Sequence, residues 1–360
     1  MTEPENADFD LGPLEPLLED ATVTEILVDG YNKIYVERRG KLEDAPASFR
    51  DDGHLMEIIN RIVTPLGRRI DESHPIVDVR LPDGSRVNVV IPPIALTGPV
   101  MTIRKFTATL LTADDLLRLG ACNEAIVEFL RACVQGRINI AISGGAGSGK
   151  TTLLNLIAGM IPDDERIIVV ENVAELRLPQ KRVVRLESRP LNLEGKGEVT
   201  IRDLVINALR MRPDRIIAGE VRWDEALHLF AAMNTGHDGS MFSLHASSPR
   251  DALARLEVMA SSANPSIPLL GVREMIASAI GLIVHRERLQ DGSRKVVKVT
   301  EVQGMQGDVI TLSDLFVFQQ TGVEDGKIAG RFVATGQIPK FLNRIRDAGI
   351  QLPMDLFAPG

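Results

Sequence analysis

The segment Gly144-Gly145-Ala146-Gly147-Ser148-Gly149-Lys150-Thr151 is a full G-x-x-x-x-G-K-[ST] match, set between an apolar run at 138–142 and the helix-favouring stretch 152–157. Strand, glycine loop and helix in that order commit the region to a parallel α/β sheet. The glycines let backbone N–H groups converge on phosphate oxygens at a helix N-terminus, where unsatisfied amides and the helix dipole favour anions. Lys150 is then placed to reach the β and γ phosphates of ATP. Thr151 offers its hydroxyl to Mg²⁺, and Thr152 adds a donor to the α or β phosphate. Phosphate binding by itself leaves motor, kinase and switch open.

At 360 residues the chain is long enough for about two domains. With 41 basic against 49 acidic residues its formal charge is −8, so no global field draws it to nucleic acid or anionic lipid. The opening Thr2-Glu3-Pro4-Glu5-Asn6-Ala7-Asp8 is acidic and polar, the opposite of a secretory signal, and the expected location is the cytoplasm. The longest uncharged run, 87–103, is broken by Pro92, Pro93, Gly98 and Pro99 and cannot form a spanning helix. Cys122 and Cys133 are the only cysteines. On the single helix that the 121–134 pattern suggests they would stand about 16 Å apart, too far to bridge. Two cysteines without paired histidines also make no zinc site.

The first hundred residues read as a small α/β unit. Glu25-Ile26-Leu27-Val28 and Lys33-Ile34-Tyr35-Val36 flank the turn Asp29-Gly30-Tyr31-Asn32. Leu55, Ile58, Ile59, Ile62, Val63 and Leu66 recur at helical spacing, with Gly67 where a helix stops. A second hairpin pairs 76–80 with 86–90 across Pro82-Asp83-Gly84. The polar, threonine-rich stretch 107–114 reads as a hinge linker, which divides the chain into an N-terminal domain (1–106) and an ATPase domain (115–360). Beyond the linker, strands at 166–170, 215–220 and 241–245 alternate with helices, one begun by Thr200 and Asp203 and one by Ser248-Pro249. A strand at 281–285 and a hairpin around Asp291-Gly292-Ser293 follow, and the remainder is expected to be loop-rich.

Glu171 and Glu220 each end an apolar strand, the edge of a doubly wound sheet where ligands bind. Beside a phosphate loop that places both carboxylates toward the γ-phosphate and its metal, although a strand-end carboxylate also serves as a helix cap. Gly219 stands where many P-loop enzymes carry an aspartate. His237 and His245 are expected near the same sheet edge. Arg86 and Arg104 lie on strands with apolar neighbours, and their pattern alone reads as solvent-facing charge.

The runs Arg80-Leu81-Pro82-Asp83-Gly84-Ser85-Arg86-Val87-Asn88, Arg210-Met211-Arg212-Pro213-Asp214-Arg215-Ile216-Ile217 and Met233-Asn234-Thr235-Gly236-His237 resemble hallmarks of the type II and type IV secretion ATPase superfamily. Within it the chain is most similar to the CpaF-like, Tad-pilus branch. The resemblance implies a cytosolic homohexamer whose PAS-like N-terminal and RecA-like C-terminal domains close over ATP. It puts Glu171 and Glu175 in the family's Asp box, with Glu171 polarising the attacking water. Glu220 becomes the Walker B glutamate near Mg²⁺, and His245 falls in the His box. Arg86 and Arg104, and less directly Arg80, match the N-terminal arginines that reach the phosphates. Asn172 departs from the usual aspartate, and Trp223 from the usual glycine. The chain begins close to the family's conserved start, without the helical extension of many CpaF-like proteins, and has no tetracysteine zinc insertion.

The function implied is powering pilin insertion or extraction through a platform protein at the inner face of the inner membrane. A conjugation-type or nucleic-acid translocase is the competing class. Aromatics at 4% and the acidic balance offer neither a stacking platform nor an electrostatic groove, so no direct nucleic-acid partner is expected.

Overall fold

The computed structural model describes residues 11–38, 40–105, 112–191 and 195–359. The chain divides into two compact units, Met1–Thr109 and Leu110–Gly360. In the first unit α1 (Glu15–Glu19) precedes β1 (Val23–Asp29), β2 (Ile34–Arg38) and β3 (Lys41–Asp44). There follow α2 (Asp52–Val63), β4 (Ile76–Arg80), β5 (Arg86–Val90) and β6 (Val100–Arg104). The strands form one antiparallel sheet in the order β3-β2-β1-β6-β5-β4. Period-two alternation turns Val87, Val89, Met101 and Ile103 into the core, where α2 covers them with Leu55, Ile58, Ile59, Ile62 and Val63. Each of these side chains contributes about 1.5–3 kcal/mol by leaving water. Asp51 caps α2 by accepting the His54 N–H at 2.8 Å.

The second unit starts with a capping box. Thr112 and Asp115 satisfy each other's backbone N–H groups and begin α3 (Ala113–Arg118), so residues 113–114 are helical rather than part of a linker. The rest of the expected hinge, 107–111, lies outside the described residues. The chain continues through α4 (Glu124–Gln135), β7 (Ile140–Gly144), α5 (Lys150–Ala158), β8 (Ile167–Glu171), β9 (Val183–Glu187), α6 (Ile201–Ala208), β10 (Arg215–Ala218) and α7 (Glu225–Asn234). It ends with β11 (Met241–His245), α8 (Pro249–Ala263), α9 (Leu269–Ala279), β12 (Leu282–Arg288), β13 (Arg294–Gln306), β14 (Val309–Glu324), β15 (Lys327–Ala334) and α10 (Leu342–Asp347).

These strands make one sheet in the order β15-β14-β13-β12-β7-β11-β10-β8-β9, parallel from β12 to β9. Its central strands are apolar on both faces, as a doubly covered parallel sheet requires. Ile140 and Ile142 pack with α4, α5 and α10, while Ala141 faces the core built by α6, α7, α8 and α9. Where β10 begins, the fully buried Arg215 forks onto Glu165 (2.6 and 2.8 Å) and donates to Val134 O at 2.7 Å.

Two expectations fail here. The stretch after the Asp291-Gly292-Ser293 hairpin is not loop-rich, because β13, β14 and β15 extend the sheet as an antiparallel ribbon. Their glycines read as punctuation but sit inside strands. Gly304 and Gly322 mark register shifts, and a Cβ on Gly330 would stand 2.3 Å from the Phe318 ring across the ladder. Cys122 precedes the Asn123 cap of α4 and so does not share a helix with Cys133. Both thiols are free and buried, and burial pushes Cys122 up to about 11.

Candidate nucleotide site

The phosphate loop leaves β7 at Gly144, a position only glycine can fill. A Cβ there would stand 2.2 Å from Arg286 O and 2.6 Å from Ser148 Oγ. Gly147 and Gly149 take left-handed φ values of +67° and +84°, which turn the chain back into α5. The first turn of α5 has no side-chain cap, so its amides remain available to an anion. Lys150 is buried at the head of that helix, and its Nζ donates to Gly145 O at 2.9 Å. Ser148 Oγ donates to the same carbonyl at 2.9 Å. Gly145, Ala146, Gly147 and Thr152 are exposed, and Thr151 is half-buried beside them.

The sheet order sets Gly144, His245, Glu220 and Glu171 at the C-terminal ends of four neighbouring strands, β7, β11, β10 and β8. His245 links loop to carboxylate: Nδ1 lies 3.3 Å from Lys150 Nζ, and Nε2 lies 2.9 Å from Glu220 Oε1 without hydrogen-bond alignment. Burial and then the Lys150 charge lower the His245 pKa, with Glu220 opposing, so the ring is neutral at pH 7. With Nδ1 accepting from the ammonium, the ring proton is assigned to Nε2. Glu220 Oε2 accepts from Arg222 Nη2 at 2.7 Å. Arg222 carried no sequence signal beyond its neighbourhood.

Glu171 is 3% exposed. Its Oε1 accepts the Glu175 and Leu176 N–H groups, each at 2.9 Å, while Oε2 is buried with no partner among the described residues. Burial raises its pKa to about 7 against the pull of those two amides. Gly219 makes this placement possible, since a Cβ there would stand 2.8 Å from Glu171 Cγ. The glycine in place of an aspartate therefore follows from the packing of Glu171. Gly219→Ala is expected to displace that carboxylate and cut ATP turnover on the order of 10²-fold with ATP affinity retained. Steady-state hydrolysis beside a nucleotide titration checks this, and unchanged turnover would refute the steric role.

The family described as Type II/IV secretion system protein matches residues 7–331. The chain belongs to that family. A putative conjugal transfer protein of Mycobacterium tuberculosis is 34% identical over 304 residues, 83% of this chain and 86% of its own. The conjugal transfer protein TrbB of Rhizobium radiobacter is 34% identical over 296 residues, 81% of this chain and 87% of its own. The pilus retraction motor PilT, solved with bound ADP, shares the fold over 98% of this chain and 92% of its own, with TM-score 0.57 and 16% identity. Family membership, together with the phosphate loop and strand-end carboxylates, identifies the chain as an ATPase of the type II/IV secretion superfamily.

Other positions of this family member are placed less uniformly. In the first unit the cross-strand register aligns Arg80, Arg86, Arg104 and Glu25 in one row over β4, β5, β6 and β1. Arg104 Nε is 3.7 Å from Glu25 Oε1. Asn172 accepts from Ser188 Oγ through both its carbonyl and its side chain. The expectation for His237 is corrected, because it precedes β11 and therefore lies at the opposite edge of the sheet from His245; its Nδ1 is 3.2 Å from Ala232 O. Trp223 is 74% exposed before α7, and nothing in the structure explains the choice of tryptophan.

Proposed function

We propose that the chain works as a homohexameric motor, hydrolysing ATP with Mg²⁺ to drive pilin insertion or extraction for a Tad-type pilus through an inner-membrane platform protein. The observation that carries the enzymatic part is the line Lys150, His245, Glu220, with buried Glu171 beside it, along adjoining strand ends. Glu171 orients and activates water for in-line attack on the γ-phosphate. Lys150 and the loop amides hold the charge on the phosphates, and His245 keeps Lys150 and Glu220 in register.

The oxygen donors at this strand edge fit a magnesium ion. Thr151 would supply a hydroxyl and Glu220 a carboxylate, both hard oxygen ligands, and no group of three or more His, Cys, Asp or Glu that could hold a metal occurs among the described residues. When bound, Mg²⁺ would supply charge neutralisation on the phosphates. Among the described residues no helix is long and apolar enough to cross a membrane. The proposed place of work is the cytoplasmic face of the inner membrane, reached through partner proteins.

The conjugal-transfer relatives support a second reading, a motor serving DNA transfer. The two readings differ in one measurement. A pilus motor should hydrolyse ATP at a rate indifferent to added single-stranded or duplex DNA at moderate salt. A translocase that engages DNA should accelerate severalfold, with a steep salt dependence. DNA-stimulated turnover would overturn the pilus reading.

A further inference from the structure

On the side of β7 away from the carboxylates, β12 and β13 bring two arginines against the back of the phosphate loop. Arg286 stands opposite Gly144 in the β12–β7 register and donates from Nη1 to Gly149 O at 2.9 Å. Arg294, at the start of β13, donates from Nε to Gly147 O at 2.8 Å. These are the carbonyls of the two left-handed loop glycines. In a trans peptide C=O and N–H point in opposite directions. A guanidinium drawing on Gly149 O therefore aims the Lys150 amide to the other side, and one drawing on Gly147 O does the same for the Ser148 amide.

Arg286 is an expensive residue for this position. It is 3% exposed, its Nε has no hydrogen-bond partner among the described residues, and no carboxylate is among the charged groups that act on it. Burial, then repulsion from Arg294, lower its pKa to about 10, so it stays protonated at neutral pH. Burying a cation without a counter-charge is costly, and an apolar side chain of similar length would avoid that cost. The chain of backbone contacts leads from this cation to the loop that binds a polyanion.

We propose that Arg286 and Arg294 are positioning residues of the nucleotide site, which hold the phosphate loop by its carbonyls, aim the Ser148 and Lys150 amides at the phosphates and place positive charge behind them. The inference rests on the ATP-binding reading of the loop. It distinguishes these two arginines from structural pins, because a pin stabilises the protein without nucleotide, whereas a charge placed for phosphate does so only with nucleotide.

The test uses the full chain carrying Arg286→Met, Arg286→Lys or Arg294→Met. Melting temperature is measured with and without nucleotide, ATP and ADP dissociation constants by titration, and KM and kcat by steady-state hydrolysis. Arg286→Met is expected to melt at or above the wild-type temperature without nucleotide, yet to bind ATP and ADP about tenfold or more weakly. KM should rise more than kcat falls, and Arg286→Lys should recover part of the affinity. A nucleotide-free melting temperature that drops while ATP affinity stays at the wild-type value would overturn the proposal. Should Arg286→Met fail to fold, Arg294→Met decides alone: weaker ATP binding supports the proposal, and unchanged binding overturns it. Failure of the wild-type chain to bind ATP would instead refute the ATP reading itself.

Discussion

Glu171→Gln is expected to bind ATP with wild-type affinity and to hydrolyse it at least about 10²-fold more slowly. The glutamine keeps an oxygen for the Glu175 and Leu176 amides, so the loop after β8 should hold its shape. What it loses is the carboxylate Oε2, buried and without a hydrogen-bond partner among the described residues. A carboxyl raised to about 7 by burial suits a general base at neutral pH. Turnover should therefore rise with pH through about 7 as Glu171 ionises, and this limb should vanish in the variant. The stability effect has the opposite sign. A folded-state pKa above the ordinary carboxylate value means that the native protein holds this proton more tightly than the unfolded chain, so ionisation costs stability as pH rises toward about 7. At pH 8 the neutral glutamine should melt higher than the wild type. Equal loss of ATP affinity in Glu171→Gln and Lys150→Ala would refute the separate roles, and a lower melting temperature at pH 8 would refute the burial argument.

The phosphate loop and the strand ends were legible because each depends on local pattern. The glycine spacing, the apolar five-residue strands and the capping pair Thr200 and Asp203 all act within a few residues. Arg286 and Arg294 were not legible. They act on Gly149 and Gly147 across the sheet, and sequence separation hides such contacts. The same distance hid the clamp of Glu165 on Arg215, which in sequence is an ordinary charge after a proline. Gly219 was read as a missing aspartate, when its meaning lies in the Glu171 side chain from another strand. The antiparallel ribbon was missed for a different reason: glycines at bulges and against an aromatic ring look the same in sequence as glycines in loops.

Arg86→Ala and Arg104→Ala, singly, are each expected to lower ATP turnover on the order of 10³-fold, the range in which an arginine supplied to a transferring phosphoryl group acts. The expectation rests on the family resemblance of these positions. Arg80, Arg86 and Arg104 stand directly opposite one another on three adjacent strands, with Glu25 the acidic member of the row. If these arginines serve the nucleotide, removing one should lower activity far more than it lowers the melting temperature. A surface ion pair such as Arg104 with Glu25, at 3.7 Å, contributes at most about 1 kcal/mol and cannot reverse that balance. Arg86→Lys should recover only part of the rate, because a point charge lacks the planar fork that pairs with phosphate. Hydrolysis rate and melting curve measured on the same preparations decide the matter. Normal turnover in both alanine variants would return the row to solvated surface charge, and a loss of stability parallel to the loss of rate would make it a structural ladder instead.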